Sequence, residues 1–600
     1  MNEMNEKWSV CNKTGDFNFI MNTFGVTAST ARLLINRGKV TEKDIREFLY
    51  PEPDMLFRPE LMRNLVGAAD VIDKKLSSGG LKFRVIGDYD ADGIMSTYIL
   101  SDMFKRLGAE ADFYIPDRIK DGYGINEDMI RKAHEDGIDT IITCDNGISA
   151  VSAAELSKKL GITLIITDHH ELPNVLPDAD IIIDPKHPMD TYPCKDICGA
   201  VVAAKLASFL LERHNIVKNG EGCLDYLEFM AIATLCDVVP MAGENRTIAV
   251  LGLRKLNACY KGKERVFNTG DKTVNHGLKA LIELCEIKGD INDYTVGFIL
   301  GPCLNATGRL DLAGRAMNML QAVSDTEAKE YAGECIRLNE ERKRLTLEWT
   351  ERAFEILDSS ENIDKVIVAE LPECHESLAG IIAGRIREKY LRPSFVLTNG
   401  KDGMKGSGRS IPGYNMFEEL QKCSDLFSKF GGHPMAAGLS LMTDNAAMFR
   451  ERININCNLC EEDFKKKVLL DAVVPLSSFD EKSVEELKLF MPFGSGNPSP
   501  VFGDRNNKVI RMKRMGKNNN FLKFILEDSK NRKFEAICFK NADDIIRMFK
   551  EKYGESQVDA AFSGKYNDIS VMVSYTPEIN EYNGNRSIQM KISGLLPGKL

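Results

Sequence analysis

The sequence predicts an α/β protein with a parallel-sheet domain and a second α/β domain, joined by a long helix and followed by a small β-barrel. Three observations lead to this prediction. Short β-branched runs alternate with helical stretches between residues 81 and 184, which is typical of βαβ units. A long charged helical stretch follows residue 324, and short alternating strands follow a cluster of turn residues at 491–503.

The composition is that of a globular chain. Its 600 residues are 43% apolar and 28% charged, and this length corresponds to about three to five domains. The first residues lack the apolar core of a signal peptide, and we find no apolar run of about 18 residues that could span a bilayer. The 15 cysteines are odd in number and scattered, which favours reduced thiols. We therefore expect a cytoplasmic protein with no membrane partner.

The helical and strand patterns set the expected domain boundaries. Ser324 and Glu327 have the spacing of a capping box, and the helix that they open extends to about Leu357. The last strands, FLKFILED, KFEAICF, DAAFSGKY and SIQMKIS, favour an OB-like barrel. The expected domains are an N-terminal helical cap (1–80), a parallel-sheet domain (81–320), the connecting helix (321–358), a second α/β domain (359–465) and the OB-like domain (466–600).

Acidic residues and histidines follow the predicted strands of the parallel sheet, where each strand ends. Asp88, Asp90 and Asp92 come after LKFRVIG, Asp145 after DTIITC, and His169 within Asp-His-His after TLIIT. Ligands of open parallel sheets bind beyond the carboxyl ends of the strands, so we expect these side chains to converge. Loops with unrelated roles would not all be expected to carry an acid or a histidine directly after a strand, so the shared pattern indicates one site.

This cluster predicts a site for divalent cations. At an effective dielectric of about 20, two carboxylates roughly 4 Å apart repel by about 4 kcal/mol. Hard oxygen ligands with one or two histidines suit Mn²⁺ or Mg²⁺. Two such ions could stabilise the attacking and leaving oxygens when a phosphoryl group is displaced. Asp237 ends the apolar helical run LEFMAIATLCDVVP, so we add it to the cluster. A calcium loop is disfavoured because the closing glutamate is missing, but Asp145-Asn-Gly147 taken alone is also typical of a turn.

The charge distribution leaves two interpretations open. The net charge is −10, yet residues 505–540 contain eleven Lys and Arg against three acids. Such a segment is typical of a polyanion-binding surface, and it is equally typical of a solvated face.

The motifs together resemble a known family. DYDADG (88–93), TCDNG (143–147), DHH (168–170) and ATLCDVVP (233–240) are similar in order and spacing to the motifs of the DHH phosphoesterase superfamily, and within it to the RecJ family of single-strand-specific exonucleases. The resemblance covers almost the whole chain, since GPCLNATGRL (301–310), MKGSGRS (404–410) and FGGHPMAAGLS (430–440) also resemble RecJ.

The resemblance implies roles for particular residues. The family implies two Mn²⁺ or Mg²⁺ ions that activate the attacking water, with Asp145 as the bridging ligand and His170 beside the ions. The implied metal ligands are Asp88, Asp90, Asp92, Asp145, His169 and Asp237, which form the catalytic set together with His170. The implied substrate-binding residues are Arg118, Tyr123 and Asn305 near the metals, and Arg309, Ser407, Arg409 and His433 at the 5′ end of the strand.

The expected function is a 5′ to 3′ exonuclease on single-stranded DNA that releases 5′-mononucleotides in recombination and repair. A single-strand-binding protein and a RecQ-type helicase are the partners that the resemblance implies. Two alternatives remain: a DHH phosphodiesterase acting on short oligonucleotides or cyclic dinucleotides, and an inactive DHH protein with a structural role in a replication assembly. The chain departs from the family pattern at Cys303, where the family commonly has arginine, and at Ser377, where it commonly has glycine. With cysteine in place of arginine at position 303, one phosphate contact expected in the family is in question.

Overall fold

The computed structural model describes residues 6–79, 82–118, 120–218, 220, 222–260, 274–310, 314–360, 362–582 and 584–598. The chain divides into two compact units. The central unit is Glu52–Lys465, and the terminal unit combines the chain up to Pro51 with the chain from Lys466 onward. The residues predicted as one helical cap, 1–80, are therefore divided between the two units.

A five-stranded parallel sheet lies in the first part of the central unit. Successive side chains of a strand point to opposite faces, so the strands contribute to two hydrophobic clusters. Val85, Ile142 and Ile165 belong to one cluster, and Ile86 and Ile166 to the other. Helices cover both faces, as in other parallel sheets. The strands lie in the order Ala111–Tyr114, Phe83–Ile86, Thr140–Cys144, Thr163–Thr167 and Ile181–Ile183.

The helices of the central unit begin at residues that cap them. Asn126 accepts a hydrogen bond from Met129 N, and Ser324 accepts one from Glu327 N. The predicted connecting helix is the 34-residue helix Asp325–Asp358. Before it come Leu65–Ser78, Ala91–Arg106, Glu127–Glu135, Val151–Leu160, Gly199–Arg213, Gly222–Asp225, Leu227–Cys236, Gly243–Tyr260, His276–Leu284, Asp293–Thr295, the π-helical turn Val296–Leu300, Gly301–Leu310 and Gly314–Gln321.

A second, mixed sheet follows the connecting helix. Its strands lie in the order Phe427–His433, Ala436–Leu441, Gly403–Arg409, Ser394–Gly400 and Ile367–Glu370, and the last two are parallel. The strand Gly403–Arg409 alternates half-buried and buried residues, which places its odd-numbered side chains on one face. The helices of this part are Glu376–Tyr390, Met416–Gln421 and Ala446–Ile455.

The terminal unit contains the predicted barrel. Phe502–Met515, Phe521–Glu527, Lys533–Cys538, Asn585–Pro597 and Ser570–Tyr582 pair in this order, and the last strand pairs again with the first. The sheet therefore closes into a five-stranded barrel, which confirms the OB-like prediction. Three shorter strands, Glu6–Val10, Lys466–Leu470 and Ala472–Val473, complete the unit, and the first two pair in parallel.

One predicted strand of the barrel is wrong. DAAFSGKY lies mostly in the helix Glu555–Ser563, where Val558 and Ala561 are buried three residues apart on one helical face. The barrel strand lies after it, at Ser570–Tyr582. The other helices of the terminal unit are Phe17–Phe24, Ala28–Asn36, Glu42–Leu49, Glu481–Glu486 and Ala542–Tyr553. None of the described helices combines the length and the apolar character needed to cross a bilayer.

A buried ion pair ties the helices of the parallel-sheet domain together. Lys205 and Glu244 have side chains that are 1% and 0% exposed, and their charged atoms are 2.7 Å apart. The backbone N–H of Phe57 donates to the same carboxylate at 2.8 Å, and the Tyr192 hydroxyl donates to its other oxygen. Each oxygen of Glu244 thus has a partner, as a charge removed from water requires.

Lys205→Met should destabilise the chain strongly, because it leaves the Glu244 carboxylate buried without a counter-charge. We expect a loss of about 3–5 kcal/mol in the free energy of unfolding. Arg131→Met is the matched control, since Arg131 and Glu127 form an ion pair whose side chains are 55% and 48% exposed; it should cost less than about 1 kcal/mol. Denaturant unfolding of the three proteins, followed by circular dichroism, measures the difference, and equal losses would contradict the assignment.

Candidate active site

The acidic residues leave the parallel sheet where its strand order reverses. In chain order the strands lie 2-1-3-4-5 across the sheet, so the reversal falls between Phe83–Ile86 and Thr140–Cys144. Such a switch point opens a crevice beyond the carboxyl ends of the two strands. The loop with Asp88, Asp90 and Asp92 starts at the first of these strands, and Asp145 directly follows the second.

Backbone amides at two helix N-termini hold the first loop. Asp90 caps the helix Ala91–Arg106 and accepts from the backbone N–H groups of Asp92 and Gly93 at 3.0 and 3.1 Å. Asp92 accepts from Gly199 N and Ala200 N, at 2.6 and 2.7 Å, where the helix Gly199–Arg213 begins. Helix N-termini favour negative charge. A Cβ at position 199 would lie 2.7 Å from the Cβ of Asp145, so glycine is required there.

The predicted metal ligands lie close together. Among the described residues, three groups have possible ligand atoms within 4.8 Å of one another. Nε2 of His169 lies 3.0 Å from Oδ1 of Asp145 and 3.5 Å from Oδ2 of Asp92. Asp145 and His169 each belong to two of the groups. The groups are Asp88, Asp90 and Asp145; Asp92, His169 and Asp237; and Asp145, His169 and His170.

The carboxylates need cations to remain charged together. Burial raises the pKa of Asp88, Asp92 and Asp145 above the usual range, and neighbouring carboxylates raise it further. Burial and the charges of Asp92 and Asp90 raise the pKa of Asp237 to about 8. Oδ1 of Asp88 is buried and makes no hydrogen bond within the described chain. A set of oxygen donors with one imidazole and no thiolate fits Mn²⁺ or Mg²⁺.

The two histidines differ in protonation. Burial lowers the pKa of His169, which leaves the neutral imidazole that a metal ion requires. Burial also acts against the charge on His170, but Nδ1 of His170 lies 2.8 Å from Oδ1 of Asp168 and the resulting interaction raises its pKa to about 9. In the metal-free chain His170 is therefore a cation at neutral pH, held in place by a buried carboxylate.

Two residues of the cluster lie on or beside unusual backbone. Asp145 has φ 61°, and Val238, directly after Asp237, has φ 60°. A left-handed conformation is uncommon for aspartate and costly for a β-branched residue. Asp237 ends the helix Leu227–Cys236, and Val238 follows it. Many helices end with a left-handed residue at this position, and that residue is usually glycine. Strain of this kind is concentrated at functional sites.

The substrate-binding residues predicted near the metal ligands have different surroundings. Tyr123 is 52% exposed, and its hydroxyl lies 3.1 Å from Nε2 of His170. The guanidinium of Arg118 lies 5.3 Å from the ring centre of Tyr89. Asn305 has a different environment: its Oδ1 accepts from Ala91 N at 2.7 Å. Its amide oxygen therefore supports the loop of aspartates, and only its NH₂ group is left for a substrate.

The second sheet brings further polar groups toward this site. Ser407 and Arg409 lie on the same face of the strand Gly403–Arg409. Gly380 leaves room for them, since a Cβ there would lie 2.8 Å from both Ser407 Oγ and Arg409 Nη2. Arg309 donates from Nη1 to Ser377 O at 2.9 Å, and His433 lies at the exposed end of the strand Phe427–His433.

A cavity of about 370 Å³ lies between the two sheets of the central unit. Tyr89 and Arg118 line it from the parallel-sheet domain, and Lys405, Ser407 and Lys429 line it from the second domain. This volume is typical of a site for a small ligand such as a nucleotide. Of the predicted substrate-binding residues, Arg118 and Ser407 belong to its lining, whereas Tyr123, Asn305, Arg309, Arg409 and His433 do not.

Family models match three parts of the chain. Residues 82–234 match the N-terminal domain of the DHH family, residues 364–457 match the DHHA1 domain, and residues 470–594 match the RecJ OB domain. The single-stranded-DNA-specific exonuclease RecJ of Bacillus subtilis is 37% identical over 94% of this chain and 68% of the relative. RecJ of Escherichia coli is 32% identical over 86% of this chain and 88% of the relative.

The chain belongs to the RecJ family. The crystal structure of Thermus thermophilus RecJ in complex with Mn²⁺ is similar, with a TM-score of 0.80, 26% identity, and coverage of 99% of this chain and 80% of that one. The same RecJ in complex with Mg²⁺ gives a TM-score of 0.75 at 25% identity. The predicted family, fold class and enzyme class, a metal-dependent nuclease, are thus confirmed, and this chain has acidic and histidine groups positioned to hold metal ions.

Sequence reasoning missed two residues of this RecJ site. Asp168 is buried, accepts from Ile148 N at 2.9 Å and orients His170. Its position directly after the strand Thr163–Thr167 is the same signal that identified the other acids. Gly199 was missed because nothing in its neighbourhood in the sequence shows that its N–H reaches Asp92, 107 residues earlier.

Asp145→Asn should raise the melting temperature of the metal-free chain and remove most of the stabilisation that Mn²⁺ provides. The substitution removes one of several mutually repelling buried charges. Asparagine tolerates φ near +60°, so the backbone is not disturbed. Thermal melts in chelator and in Mn²⁺, with Asp178→Asn at an exposed position as the control, test both effects. An unchanged Mn²⁺ shift would exclude Asp145 as a ligand.

Proposed function

We propose that this chain removes 5′-mononucleotides from single-stranded DNA in the 5′ to 3′ direction, and that it acts in recombination and repair. The observation that carries the proposal is a buried acidic cluster whose loop also contributes Tyr89 to a cavity of nucleotide size, which Lys405, Ser407 and Lys429 line from the second domain. The RecJ relatives, named as single-stranded-DNA-specific exonucleases, support the same substrate.

The acidic cluster is the proposed catalytic centre. Asp88, Asp90, Asp92, Asp145, His169 and Asp237 would hold two Mn²⁺ or Mg²⁺ ions, with Asp145 between them. When bound, such ions neutralise charge on the phosphate and lower the pKa of the attacking water. Asp168 orients His170, whose Nε2 lies 3.1 Å from the Tyr123 hydroxyl, and a phosphate oxygen of the strand would share or replace that contact.

Arginines and a serine are the proposed binding groups for the 5′ end. Arg309 and Arg409 present planar guanidiniums that match phosphate oxygens, and Ser407 lies beside Arg409. Neither arginine forms an ion pair with a carboxylate anywhere in the described ranges. His433 contributes a further donor, and it lies close enough to Glu171 to lower the pKa of that carboxyl, an effect secondary to the hydrogen bond from Lys186. Arg118 and Tyr123 would contact the strand near the metals.

The barrel provides a second proposed surface for the strand. Arg505, Lys508, Arg511 and Lys513 are exposed on the strand Phe502–Met515. Three of the eleven basic residues at 505–540 form ion pairs, namely Arg514, Lys523 and Lys540. The others make none with described residues, which favours the polyanion-binding interpretation. Backbone contacts of this kind weaken as salt rises.

The setting of the reaction is part of the proposal. No disulfide joins any of the described cysteines, which fits a reducing cytoplasm. A helicase of the RecQ type would supply the single strand, and a single-strand-binding protein would protect it. The similarity of the chain to RecJ relatives supports this setting.

A comparison of end-labelled strands tests the polarity. A 5′-labelled single strand should release labelled mononucleotide at once, whereas a 3′-labelled strand should shorten progressively, and a blunt duplex should remain intact. Chelation of Mn²⁺ should stop both reactions. Faster turnover of a dinucleotide or a cyclic dinucleotide than of the long strand would instead favour a DHH phosphodiesterase acting on short substrates.

Tyr123→Ala should raise KM for a long single strand by roughly 5- to 150-fold, because base stacking on an aromatic ring contributes about 1–3 kcal/mol. Tyr123→Phe is the matched control, since it keeps the ring and loses only the hydroxyl, which contacts His170 and the backbone carbonyl of Asp145. Steady-state kinetics on one oligonucleotide measure both. If Phe is as defective as Ala, the residue acts through its hydroxyl and not by stacking.

A further inference from the structure

Two aromatic side chains lie next to each other on the surface of the parallel-sheet domain. Tyr294 and Phe298 are 62% and 68% exposed, and their rings stack with centroids 5.0 Å apart and planes inclined by 23°. Within the described ranges, Tyr123 is the only other aromatic residue of the central unit that is more than half exposed. Single apolar residues scattered over a surface need no explanation, whereas adjoining ones are candidates for a binding surface.

The backbone that carries the two rings is held in place. Oδ1 of Asn292 accepts from Thr295 N at 3.0 Å and caps the helical segment. Asn257 anchors the residue before it, because its Oδ1 accepts from Ile291 N and its Nδ2 donates to Ile291 O, both at 2.8 Å. Thr295 and Val296 are buried, so they hold the segment against the core. The two aromatic rings therefore contribute little to packing and are presented on an ordered backbone.

The same helical segment reaches the candidate active site. Residues 293–310 are helical without a break and include a π-helical turn, a feature that is frequent at functional sites. A Cβ at position 301 would lie 2.5 Å from Sγ of Cys236, which directly precedes the predicted metal ligand Asp237. Asn305 accepts from Ala91 N in the loop of aspartates at 2.7 Å. The segment thus passes along the acidic cluster after it leaves the aromatic pair.

The aromatic pair and the predicted substrate-binding residues of this segment lie along one helical face. Phe298 follows Tyr294 by four residues and precedes Asn305 by seven, and Arg309 comes four residues later. Such intervals recur on one side of a helix. Residues 303, 304 and 306–308 are buried, whereas Asn305 and Arg309 are half-buried. At a rise of 1.5 Å per residue, Phe298 lies roughly 10 Å along the axis from Asn305, and Tyr294 roughly 6 Å farther.

We propose that Tyr294 and Phe298 form a stacking platform for nucleobases of the single strand, on the 3′ side of the bond that is cleaved. This inference rests on the proposed function, in which the 5′ end of the strand is held at Arg309. A strand that runs from Arg309 past the metal ligands reaches the platform next. Nucleobases are the favoured occupant because the platform continues the face that the strand contacts, and because aromatic rings stack any base without sequence preference.

A double variant with Tyr294→Ala and Phe298→Ala tests the platform. The matched variant carries leucine at both positions, since leucine keeps an apolar side chain but has no aromatic face. Leu347→Ala is the control for loss of an exposed apolar side chain elsewhere in the central unit, because Leu347 is 61% exposed. Binding of a long 5′-phosphorylated single strand is measured in chelator over a range of salt, with a fluorescent base analogue at successive positions from the 5′ end. Steady-state kinetics in Mn²⁺ compare the long strand with a dinucleotide, and thermal melts record the fold.

The alanine variant should bind the long strand about fivefold or more less tightly, the smallest loss expected for one stacked base. Its KM for the long strand should rise, while turnover of the dinucleotide, which is too short to reach the platform, stays that of the parent chain. The slope of log affinity against log salt should not change, because no phosphate contact is lost. Quenching of the base analogue at the stacked positions should disappear. The leucine variant should be as defective as the alanine variant, and Leu347→Ala should behave as the parent chain.

Three results would overturn the inference while leaving the proposed function intact. Unchanged affinity of the alanine variant for the long strand would exclude the platform. Parental affinity of the leucine variant would show an apolar contact in place of stacking, and an equal loss on the dinucleotide together with a lower melting temperature would show a structural role. A parent chain that neither binds nor degrades single-stranded DNA would instead refute the proposed function, and this inference with it.

Discussion

The repulsion among buried carboxylates at the switch point of the parallel sheet is the constraint on which the site depends. Asp88, Asp92 and Asp145 are almost fully buried, and their pKa values are raised above the usual range. The free energy gained in folding must therefore exceed the cost of burying these carboxylates next to one another. Hydrophobic clusters on both faces of the sheet provide that energy, and the strand order sets the place where the carboxylates meet.

The surrounding structure lowers this repulsion without removing the charges. Two helix N-termini donate backbone N–H groups to Asp90 and Asp92, which stabilises them as anions. Asp168, held by Ile148 N, keeps a positive charge on His170 beside the cluster. The site is therefore preorganised for divalent ions, because each ligand is already held by contacts that the ions do not have to create.

The sequence predicted what depends on local pattern. Strands with acids at their ends and a capped 34-residue helix follow from periodicity and spacing, and the motifs located the acidic residues that converge. Contacts between distant segments could not be read in this way. Glu6–Val10 pairs with Lys466–Leu470, so the first helices belong with the barrel and not with residues 52–80. DAAFSGKY was misread because its short apolar run fits a strand as well as a helix, and only packing distinguishes them.

We propose that the acidic and basic clusters of the central unit are complementary because one ligand would satisfy both. The buried aspartates repel one another, and Arg309 and Arg409 form no ion pair with a carboxylate within the described chain. Arg309 bonds a backbone carbonyl and Asp92 bonds backbone amides, so neither forms an ion pair with the other cluster. The phosphates of a DNA strand are negative and its divalent ions are positive. Binding the strand together with its ions would therefore supply counter-charges to both clusters, which is electrostatically favourable.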